Sequence, residues 1–371
     1  MANTPKTNRM SSSDYFEFSA LRGIQAGREY YTIMCPLKLI PTIFVFNEPG
    51  ISPQLRAQRV LNKARIPEMV SYLVNNRRDY VFSSITASID GDVKFEPLES
   101  EGPSSKIGKL SISVNAKFLI NDGQHRRKAI EEALKQRPDL SAETISVVFY
   151  LDSGLKHSQQ MFSDLNKHAI RPTKSLNILY DHRDIFSHSI LGMLSEVPIF
   201  NEITELERTS ISNRAHKVFT LNSIYSASKA LLGKTEKKPK LTNDEEKLIM
   251  TYWNEVYNNI SEWQEIVNNT LQPYDARKNF VHVHGILLHA LGILGNDLMK
   301  RYPQKWKSKL KQLNEIDWSK DNREWEGRSM IGGRLTKVSA NIVLTSNLLK
   351  SKLGLSLNQN EENLEKRFLR K

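Results

Sequence analysis

Between Lys117 and Leu134 the apolar pattern changes its period, and that change dictates how the chain must run there. Phe118, Leu119 and Ile120 form an unbroken apolar run that reads as the end of a buried strand. Asn121, Asp122 and Gly123 follow, residue types that tolerate tight turns and left-handed backbone. Ala129, Ile130, Ala133 and Leu134 then recur at helical spacing. The stretch predicts a strand, a turn opening at Asn121, and a helix. On that helix Arg127 and Lys128 precede Glu131 and Glu132 by one turn, so they are expected as solvent-facing pairs worth roughly 0.2–0.5 kcal/mol each. His125 and Arg126 precede Ala129 and Ile130 instead and border the buried face. An imidazole and a guanidinium thus stand at a helix N-terminus, where unpaired N–H groups and the macrodipole favour an anion such as phosphate. The competing reading makes Asp122 a simple helix cap and Arg126 a surface charge.

At 371 residues the chain is long enough for a sizeable core and two domains. It holds no apolar run of about 18 residues, so no membrane-spanning helix is expected. Residues 1–14 are polar, without the apolar stretch of a secretory signal, and read as a disordered leader of a cytoplasmic protein. Cys35 is the only cysteine, which excludes an internal disulfide, a multi-thiolate zinc site and a four-cysteine iron–sulfur cluster. Lying in the apolar run Tyr30–Pro36, it is expected to be buried and inert. The net charge is +12, and residues 301–371 carry sixteen Lys/Arg against eight Asp/Glu. Such an excess draws polyanions, nucleic acid ahead of acidic lipid, because this basic region does not read as a Lys/Arg-rich amphipathic helix with a wide apolar face.

Phe16–Ile24 and Glu29–Cys35 flank the turn signal Gln25–Arg28 and predict a hairpin. Helices are expected over Ser52–Lys63 and Pro67–Asn76. Tyr80–Ile89 is a strand candidate, the turn Asp90–Asp92 follows, and Val93–Phe95 begins the return strand. Lys109–Val114 and Thr144–Tyr150 are further strands, and a helix after Gly154 carries Met161, Phe162 and Leu165 at core spacing. This places a mixed domain, α/β or α+β, over residues 15–185. From there the helical period dominates: Asp184–Glu196, Leu221–Leu232, Asp244–Val267, Phe280–Arg301 and Ser339–Leu353 make residues 186–357 an all-helical domain, and 358–371 a charged, frayed tail. His282 and His284, two apart on the expected helix, diverge and do not share a metal. Trp253, Tyr257 and Trp263 recur at core spacing.

Two other clusters carry chemistry. Asn166, Lys167, His168, Arg171 and Lys174 surround Pro172-Thr173, followed by Asp181-His182-Arg183-Asp184; the group lines a phosphate site or forms a solvated basic loop. Arg323, Trp325, Arg328 and Arg334, with Gly327, Gly332 and Gly333, form either a loop approaching a polyanion or a packing loop that sets Trp325 onto the first domain.

The string Asp122-Gly123-Gln124-His125-Arg126, together with these two clusters, resembles the DndB-type proteins of bacterial DNA phosphorothioation systems. That family is distantly ParB/sulfiredoxin-like, and in such domains a comparable strand–turn–helix element contacts phosphates. The resemblance implies a DNA-binding regulatory or accessory protein that represses the modification operon or limits modification. Double-stranded DNA and other phosphorothioation proteins are the expected partners, and a homo-oligomer is allowed. Gly123, Gln124, Arg126, Asn166, Lys167, Arg171 and Lys174 would contact phosphate, and Arg127, His168, Arg183, Arg323, Arg328 and Arg334 would contact DNA. The alternative is a ParB-like nucleotide hydrolase or DNA nickase, using ATP or another nucleotide with Mg2+ at Asp122. There His125 would be the acid/base and Arg126 would stabilise charge on phosphorus. A scaffold for other modification proteins, without DNA, is the third reading.

Overall fold

The computed structural model describes residues 14–44, 63–167, 172–212, 214–236, 238–336 and 338–370. The chain divides into two units, Met1–Ile170 and Arg171–Lys371. All of the expected leader but Asp14, and all of the helix expected at Ser52–Lys63 but Lys63, lie outside the described residues.

The first unit is built on a seven-stranded sheet in the order β4-β5-β1-β2-β7-β3-β6. Its strands are β1 (Tyr15–Gln25), β2 (Arg28–Pro36), β3 (Ile85–Asp90), β4 (Val93–Pro97), β5 (Ile107–Ser113), β6 (Lys117–Asp122) and β7 (Thr144–Leu151). Every pairing is antiparallel except β3 with β7. Of the two mixed classes the sequence allows, this is the α+β one. The expected hairpin forms as β1–β2, closed by Ala26 and Gly27, both at positive φ (51° and 74°), as the right-handed twist of the strands requires.

Val93–Phe95 was expected to return alongside the preceding strand, and it does not. β3 pairs with β6 and β7, whereas β4 pairs with β5 at the opposite edge. Gly91 and Asp92 alone join β3 to β4, a reach of roughly 11 Å. Five strand spacings across a flat sheet would need about 24 Å. The sheet must therefore curl until its two edges approach. Gly91 permits this, since a Cβ there would lie 2.5 Å from that of Ala116, in the link between β5 and β6.

Inward-facing residues of the curled sheet (Ile33, Cys35, Ile112, Val147 and Phe149 among them) form one core with helices Ile66–Asn75 and Gln124–Gln136. Cys35 is fully buried, and burial pushes its thiol pKa up to about 12, so it is inert as expected. Leu165, expected in the core, is exposed on helix Ser158–Lys167, whereas Met161 and Phe162 are partly buried.

The second unit is mostly helical but not all-helical. Thr204–Glu205 pairs in parallel with Phe219–Thr220, and Met330–Ile331 pairs antiparallel with Arg334–Leu335. Helix Gly285–Arg301 packs between Leu221–Leu231 and Ser339–Lys352. Gly292 makes the first contact close: a Cβ there would stand 2.2 Å from the Ala227 carbonyl oxygen. The helix expected from Phe280 starts at Gly285, because Phe280 bridges Ser319 and the Val281 N–H bonds Trp318 O. The helix expected over Asp244–Val267 is two, Asn243–Asn258 and Ser261–Val267, parted by extended backbone at Ile260. Trp253 and Trp263 are core residues, bonding Ser228 Oγ and His282 Nδ1 through their indole N–H groups. The tail is not frayed: Asn358 and Glu361 make a capping box that starts helix Gln359–Leu369. Among the described residues no helix is long and apolar enough to cross a membrane.

Candidate functional site

Strand β6 continues through Asp122, so the turn contracts to one residue, Gly123, at φ 107°. Only glycine suits that conformation here, and a Cβ would also press Ile85 Cγ1 at 3.0 Å and Arg126 Nη2 at 3.2 Å. The β3–β6 register slips between Thr86 and Ala87, skipping Asn121. Asn121 is turned inward, donating to Ser88 Oγ at 2.8 Å, with its Oδ1 buried and without a partner. Gly123 supplies the helix N-cap and offers no side chain, so the cap itself contributes no side-chain oxygen to the start of helix Gln124–Gln136.

Around that helix start, Arg126 Nη2 donates to Asp122 Oδ2 at 2.7 Å and to Ser84 O at 2.9 Å. Its side chain is only 17% exposed, and its Nε is buried with no partner. His125 is half-buried beside it. Burial lowers the imidazole pKa from its ordinary value, the positive charges of Arg65 and Arg126 act the same way, and Asp122 opposes them. Burial and the two arginines thus favour the neutral imidazole over its charged form, and Asp122 favours the charged one.

Two members of the signature helix do other work. Gln124 is buried and turns back to donate to Ile120 O at 3.1 Å. Arg127, expected to face solvent and DNA, is 5% exposed: its Nε donates to Phe44 O at 2.8 Å, Nη2 to Pro41 O at 3.1 Å, and Nη1 to Glu131. It is a strut between the helix and residues 41–44, not a surface cation. Asn166 and Lys167 are exposed at the end of helix Ser158–Lys167, which packs on β6 and sets Met161 Sδ 3.9 Å from Asn121 Nδ2. Asn166 Nδ2 donates to Phe162 O. His168 and Arg171 lie outside the described residues. A hollow of about 330 Å3 in this unit is lined by Arg77, Tyr80, Glu143 and neighbours, and none of Asp122 to Arg126 borders it.

In the second unit Lys174, Arg183, Arg323 and Arg334 are exposed. Arg328 is not available to DNA: it forms a bidentate pair with Glu365 at 2.6 and 2.7 Å, donates to Leu344 O, and lies over the Phe368 ring. The glycine-rich loop already holds an anion of its own, since the Gly332 and Gly333 N–H groups donate to the Glu326 carboxylate at 2.5 and 3.2 Å. Trp325 packs within its own unit, stacked on Trp318 at 5.5 Å.

Among the described residues no group of three or more His, Cys, Asp or Glu is placed to hold a metal. At Asp122 the guanidinium already occupies Oδ2, so the residues present suit an anion beside Arg126 better than a cation beside Asp122. Sequence reasoning missed Arg65, Ser84 and Asn121. Arg65 and Ser84 reach the site from some forty to sixty residues upstream, with no local pattern to betray them, whereas Asn121, within the signature run, was read only as a turn former.

A curled α+β sheet whose last strand delivers a glycine-opened, cation-flanked helix start, together with a largely helical second unit, defines the class of protein. The family model described as DndB, DNA-sulfur modification-associated, matches residues 18–356, and the chain belongs to that family. Membership places it in the DNA sulfur modification system, alongside the other proteins of that system. No curated protein and no solved structure matches the chain.

Proposed function

We propose that this chain is a DNA-binding regulatory or accessory protein of the phosphorothioation system, which represses the modification operon or limits modification. The observation that carries the reading is the helix start at Gly123, where the cap is a glycine without a side chain and Arg126, His125 and Arg65 stand close by. A phosphate oxygen at such a start is favoured by the helix dipole and competes with Asp122 and the Ser84 carbonyl for Arg126. The net charge of +12 supplies the long-range attraction that backbone binding needs. The same strand–turn–helix element supports a distant ParB/sulfiredoxin-like relationship for the first unit. Within the first unit the exposed Lys167 is proposed to extend the contact; in the second unit, taken by itself, Lys174, Arg183, Arg323 and Arg334 are exposed cations proposed to meet DNA.

The test is binding of duplex DNA from upstream of the modification genes, followed by fluorescence anisotropy over a salt series. Wild-type affinity falls steeply with salt, and Arg126→Ala weakens binding and reduces the slope by about one. Affinity that ignores salt, or an Arg126→Ala protein that binds as wild type, sinks the reading.

A further inference from the structure

The second unit contains a cavity of about 290 Å3 that the DNA reading does not use. Its walls come from three stretches far apart in the chain, residues 209–226, 277–289 and 335–342. The lining is part apolar, with Val218, Phe219, Ile286 and Ile342, and part polar, with Arg277, Ser226 and Ser223, whose hydroxyl donates to Thr220 O. No Asp or Glu is among the lining residues.

Among the described residues that line the cavity, positive charge has no carboxylate to offset it. Arg277 donates to Val218 O and Ile211 O, both at a long 3.3 Å, and its Nε is buried with no partner. Its backbone carbonyl oxygen accepts from Lys320 Nζ at 2.5 Å and lies 3.0 Å from His284 Nε2, so an ammonium stands at the Arg277 backbone, outside the lining itself. Burial lowers the pKa of both cations, and Arg277 lowers that of Lys320 further. Two helices also begin at the cavity: Leu221–Leu231, whose Asn222 and Ser223 N–H groups are taken by Ser175 Oγ and Thr220 Oγ1, and Gly285–Arg301, whose N-cap His284 offers no side-chain cap. Their dipoles add to the same sign of field. Partly buried cations without a counter-ion are costly, and the cost is removed by an anion supplied from outside.

We infer that this cavity binds a small organic phosphate of nucleoside-monophosphate size. Its phosphoryl group lies against Arg277 and the start of helix Gly285–Arg301, and its body lies against Val218, Phe219 and Ile342. The volume sits at the small end of the range for ligand pockets, a size that suits a single mononucleotide. The inference does not depend on the DNA reading and survives if that reading fails.

The experiment is calorimetric titration of the full chain with adenosine monophosphate and, separately, inorganic phosphate. Adenosine monophosphate binds saturably, and inorganic phosphate binds about tenfold more weakly because it leaves the apolar part of the lining uncovered. Arg277→Gln weakens the nucleotide by about tenfold or more, the loss of a hydrogen bond to a charged group. Because Arg277 also holds two backbone carbonyls, Ser226→Leu is the second variant: it fills the cavity from a half-buried helix position and abolishes binding while the melting temperature is retained. Absence of saturable binding by the wild type, Ser226→Leu binding as wild type, or displacement of the nucleotide by a short DNA duplex would each overturn the inference.

Discussion

Arg126 reaches back one helical turn to Asp122, Nη2 to Oδ2 at 2.7 Å, so the cation of the signature is held by the signature's own anion. A phosphate arriving at the helix start competes with that carboxylate for the guanidinium. Asp122→Asn therefore strengthens duplex DNA binding by about twofold, the size of a partly exposed one-turn ion pair. Anisotropy titration at fixed salt measures it. Weaker binding by Asp122→Asn would show that the carboxylate positions Arg126 for contact instead of restraining it.

Arg127 and Arg126 are neighbours with opposite duties. Arg127→Met leaves the Phe44 and Pro41 carbonyls without their donor and the Glu131 carboxylate without its closest partner. Breaking a buried charge-assisted network of this kind costs roughly 3–5 kcal/mol. Urea unfolding reads the loss, and the salt slope of DNA binding by the folded fraction stays at the wild-type value.

Lys350 is fully buried between Asp297 Oδ2 at 2.6 Å and Glu361 Oε1 at 2.5 Å. It staples the last helix, Gln359–Leu369, to the body of the second unit, as Arg328 does through Glu365. Lys350→Met strands two carboxylates and destabilises by roughly 3–5 kcal/mol. Limited proteolysis then cuts first between residues 352 and 359, where the wild type resists.

His282 is fully buried among Phe280, Trp263 and Trp318, and burial, with His284 nearby, lowers its pKa to about 3. Glu262 Oε2 stands 3.8 Å from Nε2 and favours the charged form, but desolvation outweighs it. In the unfolded chain the imidazole takes up a proton near pH 6.5. The unfolded state thus binds more protons between about pH 6.5 and 3, and this contribution to stability, complete above 6.5, is lost as pH falls through that window. Urea midpoints at pH 7 and pH 5 measure the slope, which is shallower in His282→Asn.

What the sequence disclosed follows how local each determinant is. The β1–β2 hairpin and the signature strand–turn–helix were legible because their instructions lie within a few residues of where they act. The capping box of Asn358 and Glu361 was equally legible, at N-cap and N3 spacing, and was passed over for the charge of the tail around it. The pairing of β4 was not legible, since alternation identifies a strand but not its partner. Nor was the burial of Arg127, whose carbonyl partners lie over eighty residues upstream. Of the site, the signature's own arginine and histidine were found, while Arg65 and the Ser84 carbonyl, brought in by tertiary folding, were not.

The two-residue passage from β3 to β4 also limits how the protein can be engineered. It works as a drawstring: lengthening it at Gly91-Asp92 by a flexible insert releases the two sheet margins from each other and takes with it the seat of β6, on which the signature turn rides. An epitope tag spliced into the exposed segment 98–102, between β4 and β5, adds slack where none is being held taut, and the fold accommodates it.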